Sequence, residues 1–232
     1  MVKVILMGLA VNGLLLNLSA EEASNAGATS VFDRDNVKQP LSAENERKLK
    51  YEIIPGLRVG KITRQTTRAD LVAWYGEANV QEKNFEQEGL SMLVTHVRVD
   101  PHGEGLKIIW NELDGKKLPE TIFIEGVAWK TKEGIGLGTT LERLEELNGR
   151  PFILAGFGWD YSGTVYDFKG GRLEPLKSAL TIRLHPGVEY QTVLSEKEYL
   201  TVVGDKEISS DNPIMRKLKP EIYQLIMRFK NP

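Results

Sequence analysis

Three rings and a carboxylate crowd into five positions at Phe157, Trp159, Asp160 and Tyr161. Flat rings beside an acid can hold a sugar, a peptide or a cationic group, because a ring face attracts both apolar surface and positive charge. Trp129 and Phe152 add two more rings to the stretch 129–164. The candidate ligand-binding residues are therefore Trp129, Phe157, Trp159, Asp160 and Tyr161. A competing reading is architectural. Phe157 and Trp159 are two apart, so an extended chain would send both into the core while Asp160 and Gly163 shape a turn.

Other chemistries find less support. Gly134, Gly136 and Gly138 stand before a helical pattern, where free N–H groups could cradle a phosphate. Leu141 stands where the dinucleotide pattern needs its third glycine, so a turn that lets backbone approach backbone is the better expectation. Ser162 sits in Asp-Tyr-Ser-Gly, which is not the nucleophile elbow of the hydrolases. His96, His102 and His185 have no helical spacing to one another, and no HExxH occurs. With no cysteine, thiolate metal sites and disulfides are excluded. Any two of the 32 carboxylates could face each other in a cleft as a hydrolytic pair, and Asp160 with Asp167 is the one pair to inspect. No catalytic residue, metal ligand or cofactor is assigned.

The elements that must position these groups follow from spacing. Thr67 with Asp70 caps a helix over 67–75, and Gly76 stops it. Thr139 with Glu142 reads as a capping box for a second helix, whose Leu141, Leu144 and Leu147 form a stripe that Gly149 and Pro151 end. Strands are expected at 51–55, 91–99, 106–111, 120–127, 152–157, 164–168, 178–184, 199–203 and 221–229. Residues 77–91 are polar and read as a loop. Asp211, Asn212 and Pro213 open a short helix that Pro220 ends. Each half thus runs glycine turn, threonine-capped helix, glycine stop and strands, with the capping hydroxyl slipped by one residue between halves. The expected fold is α+β: tandem duplicated units at 51–127 and 128–232, each with short helices packed on an antiparallel sheet. Strands that cluster after each helix do not make a parallel βαβ sheet.

A net charge of −2, with no long Lys/Arg run, argues against a nucleic-acid partner. The N-terminus carries Lys3, an uncharged and mostly apolar run over 4–18, then Ser19, Ala20 and two glutamates. That order is an export signal, 1–20, too short for a spanning helix. Cleavage is expected after Ala20 or near Ala26 and Ala28, leaving no stable membrane span, and 21–50 reads as a flexible tail. The protein is then periplasmic or secreted.

Residues 55–63 (PGLRVGKIT), 134–142 (GIGLGTTLE), 147–152 (LNGRPF), 156–164 (GFGWDYSGT) and 210–213 (SDNP) resemble a family of uncharacterised exported bacterial proteins. That resemblance covers most of 51–229 and implies export but no activity. The duplicated plan is similar to the β-lactamase inhibitor protein fold and to small outer-membrane assembly lipoproteins of the SmpA/OmlA type, though a lipoprotein would need a cysteine. This likeness implies action by binding a protein. The expected function is a non-enzymatic envelope module for a protein or small envelope ligand. The alternatives are a carboxylate-dependent hydrolase of envelope material and a purely structural envelope protein.

Overall fold

Among the described residues, threonine hydroxyls start the two longest helices and glycines stop them. Helix α1 (Arg68–Tyr75) begins at Thr67, whose hydroxyl accepts from the Asp70 N–H while the Asp70 carboxylate accepts from the Thr67 N–H. These exchanges satisfy donors that the first helical turn leaves open. Helix α2 (Leu141–Asn148) begins at Thr140, which accepts from the Arg143 N–H, and ends at Gly149 in the left-handed conformation. The expected Thr139–Glu142 box is corrected: Thr139 accepts instead from the Gly136 N–H at 3.0 Å. With Thr140 as the cap, the supposed one-residue slip disappears. Both helices run eight residues from a threonine cap to a glycine stop.

A computed structural model describes residues 50–87, 89–113 and 115–229. The expected signal peptide (1–20), the segment 21–49 and the candidate cleavage sites lie outside the described residues. Strands β1 (Glu52–Ile54), β2 (Arg58–Val59), β3 (Ile62–Thr63), β4 (Val80–Gln87), β5 (Leu90–Arg98), β6 (Gly105–Leu113) and β7 (Lys116–Glu125) precede α2. So does β8 (Lys130–Thr131). Strands β9 (Ile153–Ala155), β10 (Val165–Asp167), β11 (Leu180–His185), β12 (Glu207–Ser209) and β13 (Glu221–Arg228) follow it. Three short helices lie among them: α3 (Tyr190–Val193), α4 (Glu196–Leu200) and α5 (Pro213–Leu218).

The strands form a six-stranded antiparallel sheet in the order β11-β13-β7-β6-β5-β4, a four-stranded sheet β3-β2-β1-β8 and a three-stranded sheet β10-β9-β12. The fold is α+β. The expected division at 127/128 falls inside the largest sheet, where β13 pairs with β7 through Ile226–Phe123 and Met227–Ile122. It also cuts between β1 and β8, which pair in parallel.

Two expected elements change type. Residues 80–87 form strand β4, not a loop, and 196–200 form helix α4 where a strand was expected at 199–203. On β13, Ile222, Leu225, Met227 and the following Phe229 are buried, while Tyr223 is exposed.

The core runs through all three sheets, α1 and α2, from Ile53 and Leu71 to Leu144, Phe152 and Leu225. The glycine loop before α2 is architectural. Its Gly134, Gly136 and Gly138 amides donate to Thr131 O, Thr139 Oγ1 and Ile222 O. A Cβ at Gly136 would lie 2.3 Å from the Trp129 carbonyl oxygen. Amides already bonded within the chain offer a phosphate nothing.

Candidate functional site

Strand β9 carries the chain to the candidate residues, and loop 202–206 receives it. Gly156 N–H donates to Lys206 O, Phe157 N–H to Val202 O, and Gly204 N–H to Phe157 O, each at 2.9 Å. A Cβ on Gly156 would stand 2.4 Å from Gly204 O, so only glycine allows this approach. Phe157 is thereby drawn into the core at 2% exposure.

Gly158 then takes φ +87, which breaks the extended alternation. The chain turns outward. Ser162 N–H donates to Trp159 O at 2.8 Å, Thr164 N–H to Tyr161 O at 3.0 Å, and Gly158 N–H to Ser162 Oγ at 3.1 Å. Gly163, at φ +65, presses the turn onto β11: Leu184 N–H donates to Gly163 O at 2.9 Å, and Thr164 bridges Arg183. The turn is bonded both to itself and to the sheet beneath it.

Trp159 is 67% exposed and Tyr161 60%, with Asp160 also in solvent. Together with Tyr166 and Asp205 they line a cleft of about 430 Å³. Three of the five candidates thus meet at one surface. The other two are corrected. Trp129 is fully buried, edge-to-face with Tyr51 at 5.2 Å and close over Gly60, so it belongs to the core. Phe157 is core for the backbone reason just given. The architectural alternative was half right: Phe157 goes in, whereas Gly158 turns Trp159 out.

Tyr166 and Asp205 were missed. Tyr166 comes from β10, beside β9, and Asp205 from the loop before β12, on the other side of β9. The alternation of Val165, Tyr166 and Asp167 on an expected strand was the available signal for Tyr166. Asp205, 45 positions beyond Asp160, had none, because the β12–β9 pairing and the bonds of Gly204 and Lys206 to Phe157 and Gly156 bring it near.

Burial pushes the Tyr166 phenol upward, and the nearby Asp205 carboxylate adds to that push. Arg183, 8% exposed, lies 5.9 Å from the Tyr161 ring centroid and acts on Tyr166 in the opposite sense. Asp167 does not line the cleft. Its carboxylate accepts from the Lys169 N–H at 2.7 Å, a bond that holds it below the usual carboxylate range. The Asp160–Asp167 pair is therefore replaced by Asp160 and Asp205. His96 and His185 pair with Glu125 and Glu221 on the six-stranded sheet, and neither lines the cleft. Among the described residues, no three His, Asp or Glu side chains stand where they could hold a metal ion. No helix among them is long and apolar enough to cross a membrane.

No family model and no curated protein matches the chain. Among solved structures it is similar to the uncharacterized protein YfeY from Escherichia coli, with 13% identity and a TM-score of 0.41 over 77% of this chain and 99% of that one. A likeness at that level carries no argument about fold or function.

Proposed function

We propose that the protein is an exported, non-enzymatic binding module of the cell envelope that takes its ligand at the Trp159–Tyr161 turn. The observation that carries this is the display of two large rings, 67% and 60% exposed, on a turn bonded to the sheet beneath. Exposed aromatic surface is a solubility liability that recognition offsets. A turn already fixed loses little further freedom when a ligand arrives, which favours affinity. Export rests on the apolar run at 4–18 behind Lys3.

The hydrolase alternative has one observation in its favour, that Asp160 and Asp205 line the same cleft. Both stand exposed to water, whereas acid–base work asks for one carboxyl in a water-poor setting. Binding is the better account.

Protein recovered from the envelope fraction, immobilised, should retain a component of envelope extract that the Trp159→Ala/Tyr161→Ala variant lets pass. A Trp74→Ala control, altering another exposed tryptophan, should retain it. Equal retention by a folded double variant removes the site. Recovery only from the cytoplasm, with Met1 intact, removes the export half of the proposal.

A further inference from the structure

We propose that the cleft takes an organic cation, an alkylammonium or guanidinium head seated against Trp159 and Tyr161 and neutralised by Asp160 and Asp205. This rests on the binding reading above and names its ligand class.

The charged side chains lining the cleft are both carboxylates, Asp160 and Asp205, and the large ones are all rings, Trp159, Tyr161 and Tyr166. Nearby cations are engaged elsewhere. Lys206 Nζ donates to Leu200 O at 2.9 Å, and Lys169 Nζ lies 3.5 Å from the Asp167 carboxylate. Arg183 is buried against the Tyr161 ring, yet Tyr161 remains 60% exposed. The ring therefore already receives one guanidinium and still shows surface for a second cation. At the Tyr166 hydroxyl, burial acts first. Among the charges there, Asp205 outweighs Arg183, and Glu207 adds to the negative side.

A pair of carboxylates beside exposed rings selects against anions. It also favours a cation over a neutral ligand of the same shape, which would leave two carboxylates uncompensated beside it. The volume fits a head group or a single side chain: about 430 Å³ lies within the range of roughly 300–1,000 Å³ for small-ligand sites. Two sources carry this chemistry, a free small amine or quaternary ammonium and an arginine or lysine side chain of an extended peptide.

The test is titration of the intact mature protein, followed by calorimetry and by the Trp159 indole N–H signal in NMR. The probes are choline, its neutral isostere 3,3-dimethylbutan-1-ol, the capped peptide acetyl-Gly-Arg-Gly-amide and a neutral trisaccharide, cellotriose. We expect choline or the peptide to bind at least about ten-fold more tightly than the neutral alcohol, since each ten-fold needs only about 1.4 kcal/mol. Trp159→Ala and Asp205→Asn should each weaken that binding by about five-fold or more, with unchanged thermal melting to show that they fold. Preference for choline assigns the free cation and preference for the peptide assigns the side chain. Either supports the proposal. Binding of both choline and the peptide no tighter than that of the alcohol overturns it, as does an Asp205→Asn variant that binds cations like the parent. Cellotriose binding that Trp159→Ala abolishes, without cation binding, also overturns it but leaves the binding module standing. Silence of all four probes at Trp159 overturns the cation proposal alone, because retention from envelope extract is a separate readout.

Discussion

Trp129 and Trp159 are the same residue type with opposite fates, 0% and 67% exposed. Composition treats them alike; the backbone around them separates them. Trp129 follows a corner where buried Glu104 accepts the Val127 and Ala128 N–H groups, and it fills the space over Gly60. Trp159 follows Gly158, whose positive φ ends the extended run. The turn that holds Trp159 out depends on Gly163 more than on any ring. A Cβ there would stand 1.8 Å from Leu184 O, at a φ that disfavours side chains. Gly163→Ala should therefore cost at least about 2 kcal/mol, from left-handed strain plus overlap. Trp159→Ala, which uncovers no core, should stay within about 0.5 kcal/mol. Denaturant midpoints check the pair. Equal midpoints would mean that the turn is not clamped as described.

At the scale of elements, capping overrode local propensity. The run Tyr199-Leu200-Thr201-Val202-Val203 is rich in strand formers and reads as a strand. Ser195 and Glu198 instead exchange hydrogen bonds at the start of α4, and Lys217 of α5 donates to the same carboxylate. The Lys217 bond, followed by those from the Ser195 N–H and hydroxyl, holds the Glu198 carboxyl down to about 2. A carboxyl depressed in the folded state contributes stability that is fully present above its ordinary value of 4.5, lost as pH falls from there toward about 2. Lys217→Met should raise the Glu198 pKa and move the acid loss of α4 to higher pH, both visible in an NMR titration. An unchanged Glu198 titration would show that the pair does not form in solution. Strand β4 failed to announce itself for a different reason. As the sheet's edge it pairs with β5 alone; of its side chains Val80 is buried, and Phe85 is half-buried against Phe123 at 5.0 Å. An edge strand that faces water on most sides has no apolar period, and its Glu82, Lys83 and Glu86 discourage pairing with other chains.

At the scale of the whole molecule, the largest sheet joins sequence-distant strands. β7 lies between β6 and β13, and β1 pairs with β8. A chain cut between residues 127 and 128 therefore loses partners on both sides. Isolated fragments 51–127 and 128–229 should each lack the dispersed NMR spectrum of the intact protein, which should unfold in one transition. Independent folding of either fragment would contradict the shared sheet.

The sequence by itself determined what is local. Thr67, Gly76, Gly149, Asn212 and Pro213 mark helix ends by chemistry confined to one turn, and the structure keeps all five in those roles. The α+β class was legible in the same way, from short periodic runs. The sequence also marked Trp159, Asp160 and Tyr161, because three such residues in a row before a glycine turn are conspicuous. Only the tertiary structure decided which rings face water. Exposure depends on what packs above a residue, and for Trp129 and Phe157 that is Tyr51 and the loop at 202–204. Only the tertiary structure supplied Tyr166 and Asp205, because strand pairing, with no sequence pattern of its own, sets them beside the turn.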